Sequence, residues 1–288
     1  MKRLDTITFT SDFGWSWGYV AVCEGLMTRL SPQARIFHLG HDVPPGDVAA
    51  GALILERTTP MFPPAVHLAV VDPGVGTVRR PLALAAQRGD LLVGPDNGLL
   101  VPAAKALGGI AGAWLLDLVR VRTEAGLPTE EVSFTFHGRD LFAPAAALLS
   151  SGLEPSRLGH PLDPGSLVTL PAPVVETCGE SVVAEVIEVD RFGNVGLALR
   201  FADLGRKEGF YRVEIVDETL PEWTARVVHT FAELGSGELG VYCDSWGHVA
   251  LTLKAASAAQ LLSVERGLKV RLTALPTAEA RRGEDSRL

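Results

Sequence analysis

Between Leu68 and Arg80 the chain reads LAVVDPGVGTVRR, an apolar run that stops at a carboxylate. A strand buried on both faces has this unbroken apolar character. The run ends at Asp72-Pro73-Gly74, and a glycine-bracketed loop continues through Gly76 to Arg79. In open α/β sheets, ligands bind in the crevice outside the carboxyl ends of the strands. Asp72 and Arg79, on either side of a tight loop, are placed to face each other there. The plainer reading is a strand-capping Asp in an Asx-Pro turn and a surface arginine. The stretch alone leaves both open.

The flanking pattern makes this strand the third of an alternating series. Thr6–Thr10 reads as a first strand ending in Ser11-Asp12-Phe13-Gly14, so Asp12 also sits at a strand's carboxyl end. Tyr19–Leu30 has helical spacing and stops at Ser31-Pro32. Arg35–Leu39 is a second strand. A helix follows over Gly46–Thr59, with Asp47 near its positive end. This βαβαβ order predicts an α/β domain with a mostly parallel sheet and right-handed crossovers. Leu82–Ala86 and Leu91–Val93 read as strands across a short turn, Gln87–Asp90. Gly94-Pro95-Asp96-Asn97-Gly98 is a turn before a helical stretch to about Leu107. Trp114–Val119 reads as a further strand, and Leu141–Leu149 as an alanine-rich helix with His137 just before it.

A proline- and glycine-rich stretch then separates two patterns. The expected organisation is an N-terminal α/β domain over 1–155, a linker over 156–177, a smaller C-terminal antiparallel β domain over 178–276, and a polar, disordered tail over 277–288. The second domain is read from short strands without long helices between them, at Val182–Val189, Tyr211–Val216, Leu239–Tyr242, Val249–Leu253 and Leu268–Leu272.

Composition excludes several classes. The 288 residues carry a net charge of −8 with no basic stripe, which argues against nucleic acid as a partner. No apolar stretch approaches a membrane span, and the N-terminus runs straight into a strand pattern without a signal-peptide core. A soluble, cytoplasmic protein is expected. Cys23, Cys178 and Cys243 are too far apart for a disulfide framework or a zinc pattern, and all three are expected to be buried thiols.

The candidate chemistry lies in polar clusters at strand ends: Asp12, the Asp72/Arg79 pair, His137, the run Asp190-Arg191-Phe192-Gly193-Asn194, and the turn Asp244-Ser245-Trp246-Gly247. Singly, each has a dull explanation as a cap, a turn former or a satisfied histidine. His38, His41 and Asp42 in HLGHD suggest a metal but lack convincing ligand geometry. A Walker loop and GxSxG are missing from the chain.

Together the motifs are more specific. TSDFG, HDVPPGD, VVDPGVGTVRR, GPDNGLL, FHGRDLFAP and DRFGN occur in this order. With them the chain resembles, over all but its tail, the S-adenosylmethionine hydroxide adenosyltransferase family, which is related to the fluorinases and chlorinases. The resemblance implies an N-terminal α/β domain, a C-terminal antiparallel β domain, and a homotrimer with substrate bound between subunits. It implies hydrolysis of S-adenosylmethionine to adenosine and L-methionine, with the family's catalytic Asp, Arg and His falling on Asp72, Arg79 and His137. The electrophile, the ribose C5′, is activated by a sulfonium that departs as a neutral thioether, so no metal or cofactor is called for. The enzyme must hold and partly deprotonate an in-line water. Either Asp72 or His137 takes the proton, and Arg79 pairs with the carboxylate.

The resemblance also implies substrate contacts: Asp12 to the ribose hydroxyls, Asp190 to the methionine amino group, Asn194 to the adenine edge and Ser245 near the methionine carboxylate. Asp244 stands where the family usually has Asn, Ala250 where it has Glu, and Gly196 where it often has a larger residue. Two alternatives stay in view, a halide-using enzyme on the same fold and a non-catalytic binder of S-adenosylmethionine or adenosine. Against the first, fluorinases have Tyr at the position of Asp72, do not keep His137, and carry a long insertion at Gln87–Asp90.

Overall fold

Strand and helix alternate from the start of the chain as its apolar pattern requires. The computed structural model describes residues 2–130, 132–216 and 221–276; the tail 277–288 lies outside them. The chain divides into two units, Met1–Leu170 and Pro171–Leu288.

The first unit runs β1 (Thr6–Ser11), α1 (Tyr19–Leu30), β2 (Arg35–Gly40), α2 (Val48–Thr58), β3 (Val66–Val70), β4 (Pro81–Ala86), β5 (Leu91–Pro95), α3 (Val101–Ala106), β6 (Ile110–Leu116), α4 (Leu118–Glu124), α5 (Ala143–Ser150), α6 (Pro155–Leu158) and β7 (Gly159–Leu162). Its sheet has the order β2-β1-β3-β5-β4-β6-β7. The β2-β1-β3-β5 half is parallel. The β5-β4-β6-β7 half is antiparallel, so the sheet is mixed. Alternate residues of β3 serve opposite faces. Val66, Leu68 and Val70 join a core with Val20, Cys23 and Met27 of α1 and Ala146 and Leu149 of α5. Ala69 and, just beyond the strand, Val71 join a second core with Leu55 of α2 and Ala103 and Ala104 of α3. Helices on both faces explain why this strand reads as unbroken apolar sequence.

Two expectations for this unit are corrected. The strand read over Trp114–Val119 ends at Leu116. Asp117 takes an extended conformation and its carboxylate accepts from Arg120 N at 3.0 Å, capping α4. An Asp after an apolar run is as good a helix start as a strand end. The proline-rich stretch also contributes β7, which pairs with β6 at the sheet edge, where Pro161 has no ladder bond to lose. A Cβ on Gly159 would lie 2.0 Å from Leu115 O, so only glycine allows that approach.

The second unit runs β8 (Val175–Cys178), β9 (Ser181–Val189), β10 (Val195–Arg200), β11 (Phe210–Ile215), β12 (Trp223–Val227), β13 (Leu239–Cys243), β14 (His248–Leu253), α7 (Ala258–Leu262) and β15 (Lys269–Ala274). Its order is β10-β14-β13-β12-β11-β15-β9-β8, and β9 also pairs with β10, which closes a barrel-like sheet. All its pairings are antiparallel except β12 with β13. Val186, Leu197, Val213, Val241, Leu251 and Leu272 fill its interior. Of the cysteines only Cys23 is buried. Cys178 and Cys243, at strand ends of the second unit, are exposed, against expectation.

Candidate active site

Two adjacent parallel strands deliver the first acidic groups to one edge. Ser11 of β1 pairs with Val70 of β3, so Asp12 and Asp72 leave the sheet on the same side. Asn97 Nδ2 donates to Val71 O at 2.8 Å and steadies the backbone just ahead of Asp72. The loop folds back through Val75 N to Asp72 O at 3.2 Å and Thr77 N to Gly74 O at 3.1 Å. Gly76 has φ +77°, and a Cβ there would meet Phe134 O at 2.8 Å; both the conformation and the space require glycine. Beyond the loop, Arg80 Nε donates to Asp96 Oδ2 at 2.7 Å.

This fold-back returns Arg79 onto Asp72. Arg79 Nε donates to Asp72 Oδ1 at 2.9 Å and Nη2 donates to Oδ2, a bidentate pair. The two side chains are 8% and 5% exposed. The guanidinium also lies over the Phe142 ring, 5.1 Å from its centroid. Arg79 Nη2 lies 3.1 Å from His137 Nδ1. A guanidinium has donors only, so Nδ1 is the acceptor, and a neutral His137 carries its proton on Nε2. Burial, followed by the Arg79 charge, holds the His137 pKa below its ordinary 6.5 against the opposing pull of Asp72 and Asp140.

His137 is placed by the turn that follows it. Gly138–Phe142 form a single wide turn before α5, a feature frequent at functional sites. A Cβ on Gly138 would press on Phe13 Cζ at 2.8 Å. Asp140 anchors the segment, accepting from Ser133 N at 2.8 Å and from Arg139 Nε and Nη2 at 2.7 and 2.8 Å. The buried Arg122 approaches Asp140 Oδ1 at 3.3 Å from α4. Sequence reasoning missed Asp140 and Arg122, although a charged residue at the head of an alanine-rich helix is the signal that marks Asp140.

Asp12 is turned to its neighbouring loop, its Oδ2 accepting from Gly46 N at 2.8 Å. A Cβ on Gly46 would stand 3.6 Å from Pro73, so this loop adjoins the one that carries Asp72. The structure thus brings Asp72, Arg79 and His137 into contact and sets Asp12 at the same sheet edge. His38 and His41 hydrogen-bond to each other, Nδ1 to Nε2, at 2.8 Å.

In the second unit, Asp190 and Asn194 form one closed loop. Asp190 Oδ1 accepts from Phe192 N and Asn194 N, both at 2.9 Å, and Oδ2 from Asn194 Nδ2 at 2.7 Å. Asn194 Oδ1 accepts from Thr252 Oγ1 at 2.5 Å. Ser245 is exposed in a turn that Asp244 braces by accepting from Trp246 N at 2.8 Å and His248 N at 2.7 Å. Burial and the charges of Asp190, Asp244 and Glu188 push the Tyr242 hydroxyl up to about 12. The departures Gly196 and Ala250 are cross-strand partners, so they fall together on the barrel.

A mixed α/β unit with a part-buried Asp–Arg–His cluster beside the carboxyl end of β3, followed by a barrel-like β unit bearing polar loops, defines the class of this protein as α/β plus barrel. The chain belongs to the SAM hydroxide adenosyltransferase family: the family's N-terminal domain matches residues 7–159 and its C-terminal domain residues 184–271. It is 47% identical over 268 residues to the (R)-S-adenosyl-L-methionine hydrolase of Salinispora tropica, covering 93% of this chain and 97% of that protein. A fluorinase from Actinoplanes sp. is 28% identical over 296 residues, covering 93% and 97%. A solved structure of an uncharacterized conserved protein from Thermotoga maritima superposes with a TM-score of 0.82 at 33% identity, covering 93% of this chain and 99% of that one.

Proposed function

We propose that this protein hydrolyses S-adenosyl-L-methionine to adenosine and L-methionine. Water attacks the ribose C5′, the C5′–S bond breaks, the sulfonium leaves as a neutral thioether, and one proton is released. The observation that carries this reading is the part-buried Asp72–Arg79–His137 contact, in a chain 47% identical to an S-adenosyl-L-methionine hydrolase. Arg79 occupies both carboxylate oxygens of Asp72 on one side and His137 Nδ1 on another. The remaining lone pairs of Asp72 accept from the water, and His137 Nε2–H donates to the water oxygen. A water held by one donor and one acceptor presents a lone pair along a fixed line, which supplies both orientation and proton acceptance. Asp72 is then the group that takes the proton.

In this reading the domain over 1–155 carries the chemistry and that over 178–276 carries substrate contacts. Asp12 binds the ribose hydroxyls, Asp190 the methionine amino group, Asn194 the adenine edge and Ser245 the methionine carboxylate. The Asp190–Asn194 pairing leaves one hydrogen on Asn194 Nδ2 for an acceptor on the adenine edge and further lone pairs on Asp190 for the amino group. The assembly is a cytoplasmic homotrimer with the active site at the subunit boundary, as the family resemblance implies. A monomer mass by light scattering at micromolar concentration overturns that assembly.

The deciding experiment incubates purified protein with S-adenosylmethionine, with and without added chloride or fluoride, and follows nucleosides and methionine by chromatography. Adenosine and methionine in equal amounts, independent of halide, are expected. A 5′-halogenated nucleoside as main product assigns the halide reaction instead, and binding without turnover assigns a regulator.

A further inference from the structure

The HLGHD motif, unused by the chemistry above, forms a continuous chain of polar contacts beside Asp12. Ser11 Oγ lies 2.7 Å from His41 Nδ1. His41 Nε2 lies 2.8 Å from His38 Nδ1. His38 Nε2 faces the Glu24 carboxylate of α1 at 3.5 Å. Ser11 and His41 are fully buried, and Glu24 is partly exposed. The Trp15 ring meets both imidazoles edge-on, at 5.3 and 4.7 Å between centroids, and Phe9 closes the other side of His41 at 4.6 Å. Gly14 N also donates to His41 O at 2.8 Å. The loop carrying Asp12 is therefore tied to the loop carrying His41 at Ser11, at Gly14 and through Asp12 to Gly46 N.

The chain has a direction. A carboxylate has no hydrogen to give, so it favours His38 with its proton on Nε2. A neutral His38 then accepts at Nδ1, which requires His41 to donate from Nε2. His41 accepts in turn at Nδ1, and the Ser11 hydroxyl donates to it. Ser11 Oγ keeps its lone pairs for Phe13 N, which donates to it at 3.3 Å. One surface carboxylate thereby sets the hydrogen-bond direction at a buried serine three groups away. Burial, and then the proximity of His38, lower the His41 pKa to about 4, so the ring stays neutral as this order needs.

We propose that His41 is a positioning residue for the Asp12 loop, with Glu24, acting through His38, fixing it as the Nε2–H tautomer. The consequence for substrate rests on the reading of Asp12 as the ribose contact; the tautomer does not.

The test joins a spectroscopic and a kinetic measurement. In histidine-labelled protein at pH 8, long-range proton–nitrogen correlation is expected to show His41 protonated at Nε2. Glu24→Gln, whose amide can donate as well as accept, is expected to introduce the Nδ1–H form, and His41 nitrogen shifts unchanged in this variant overturn the role of Glu24. His41→Gln places its amide near the Nε2 position and loses the Ser11 contact. It is expected to raise KM for S-adenosylmethionine about fivefold, the size of one net hydrogen bond, with kcat changed less than twofold. His41→Asn, whose amide falls near Nδ1, should recover most of that loss. His41 protonated at Nδ1 in the wild type overturns the proposal whatever the kinetics. A fall in kcat at constant KM for His41→Gln overturns the positioning role. Asp12→Ala, run alongside, separates the two readings. If it leaves KM unchanged, the ribose assignment fails and the nitrogen shifts decide the relay. If it raises KM and His41→Gln does not, the positioning role fails.

Discussion

Replacing Asp72 by Asn keeps the side chain's shape and removes its charge. Arg79 donates to both oxygens, and the two groups are 8% and 5% exposed, so the pair is shielded from water. An amide offers one acceptor in place of two, and its NH2 opposes one of the guanidinium donors. Breaking a buried pair by removing one partner costs about 3–5 kcal/mol. Arg79 keeps His137 Nδ1 at 3.1 Å and the Phe142 face at 5.1 Å, which puts the expected cost at the lower end, about 3 kcal/mol. At about 2–4 °C per kcal/mol for domains of this size, Tm should fall by about 6–12 °C. Turnover should fall much further. Losing a positioned proton acceptor costs about 100- to 10,000-fold, or about 3–5 kcal/mol of barrier at 1.36 kcal/mol per decade. Calorimetric affinity for S-adenosylmethionine should stay near wild type, because Asp72 addresses the water in this reading. A double variant, Asp72→Asn with Arg79→Leu, should regain stability over the single one, since no unpaired charge is left, and should remain inactive. Turnover of Asp72→Asn within about twofold of wild type, against the ~100-fold minimum expected for a proton acceptor, refutes the assignment. A double variant less stable than the single one refutes the unpaired-charge account of the stability loss.

Three further outcomes follow. Turnover should stay level from pH 8 down to the ordinary histidine range and decline only below it, because protonating His137 Nδ1 sets its N–H against Arg79 and its pKa is held below 6.5; a pH–rate profile breaking above 7 contradicts this. Stability should fall between pH 6.5 and 4, because His41 has a folded pKa of about 4 against an ordinary 6.5, so the unfolded chain takes the proton first. The His41 share of the loss reaches about 3 kcal/mol below both values, and urea unfolding at pH 7 and pH 4 should show a loss smaller by about that much in His41→Asn than in the wild type. Asp140→Asn should lower kcat about 10- to 100-fold with a smaller change in KM, since it frees the loop that sets His137 and misplacements of about 1 Å cost that much; an unchanged kcat shows that Asp140 does not position His137.

The parts of the fold legible in the sequence are those whose pattern is local. Tyr19–Leu30 carries helical spacing and a Ser-Pro stop, and α1 has those bounds. The unbroken apolar run ending at Val71 reflects helices on both faces of β3. What was not legible depends on a distant partner. The edge strand β7 exists because β6 offers it a ladder, and no property of Gly159-His160-Pro161-Leu162 alone requires it. Val195, Leu197 and Leu199 alternate and are buried, yet β10 is a strand through pairing with both β9 and β14 as the barrel closes. At Asp117 two local rules compete, and the helix start prevailed because the aspartate caps Arg120 N.

For the site, the sequence supplied the residues and the geometry supplied their directions. The strand end, the Gly76 loop and the return to Arg79 lie within one stretch, so their encounter was readable. His137, 58 residues beyond Arg79, reaches it only because α5 packs on β3 and Asp140 closes the intervening segment. No spacing rule contains the contact that matters next, Arg79 Nη2 to His137 Nδ1. That contact makes Nε2 the protonated nitrogen and leaves a centre with one N–H donor and one carboxylate acceptor. A water satisfies both at once. A halide accepts from the N–H but has nothing to give the carboxylate. In the proposed reaction Asp72 is the acceptor that a water can satisfy and a halide cannot, so the choice of water as the nucleophile rests on that carboxylate.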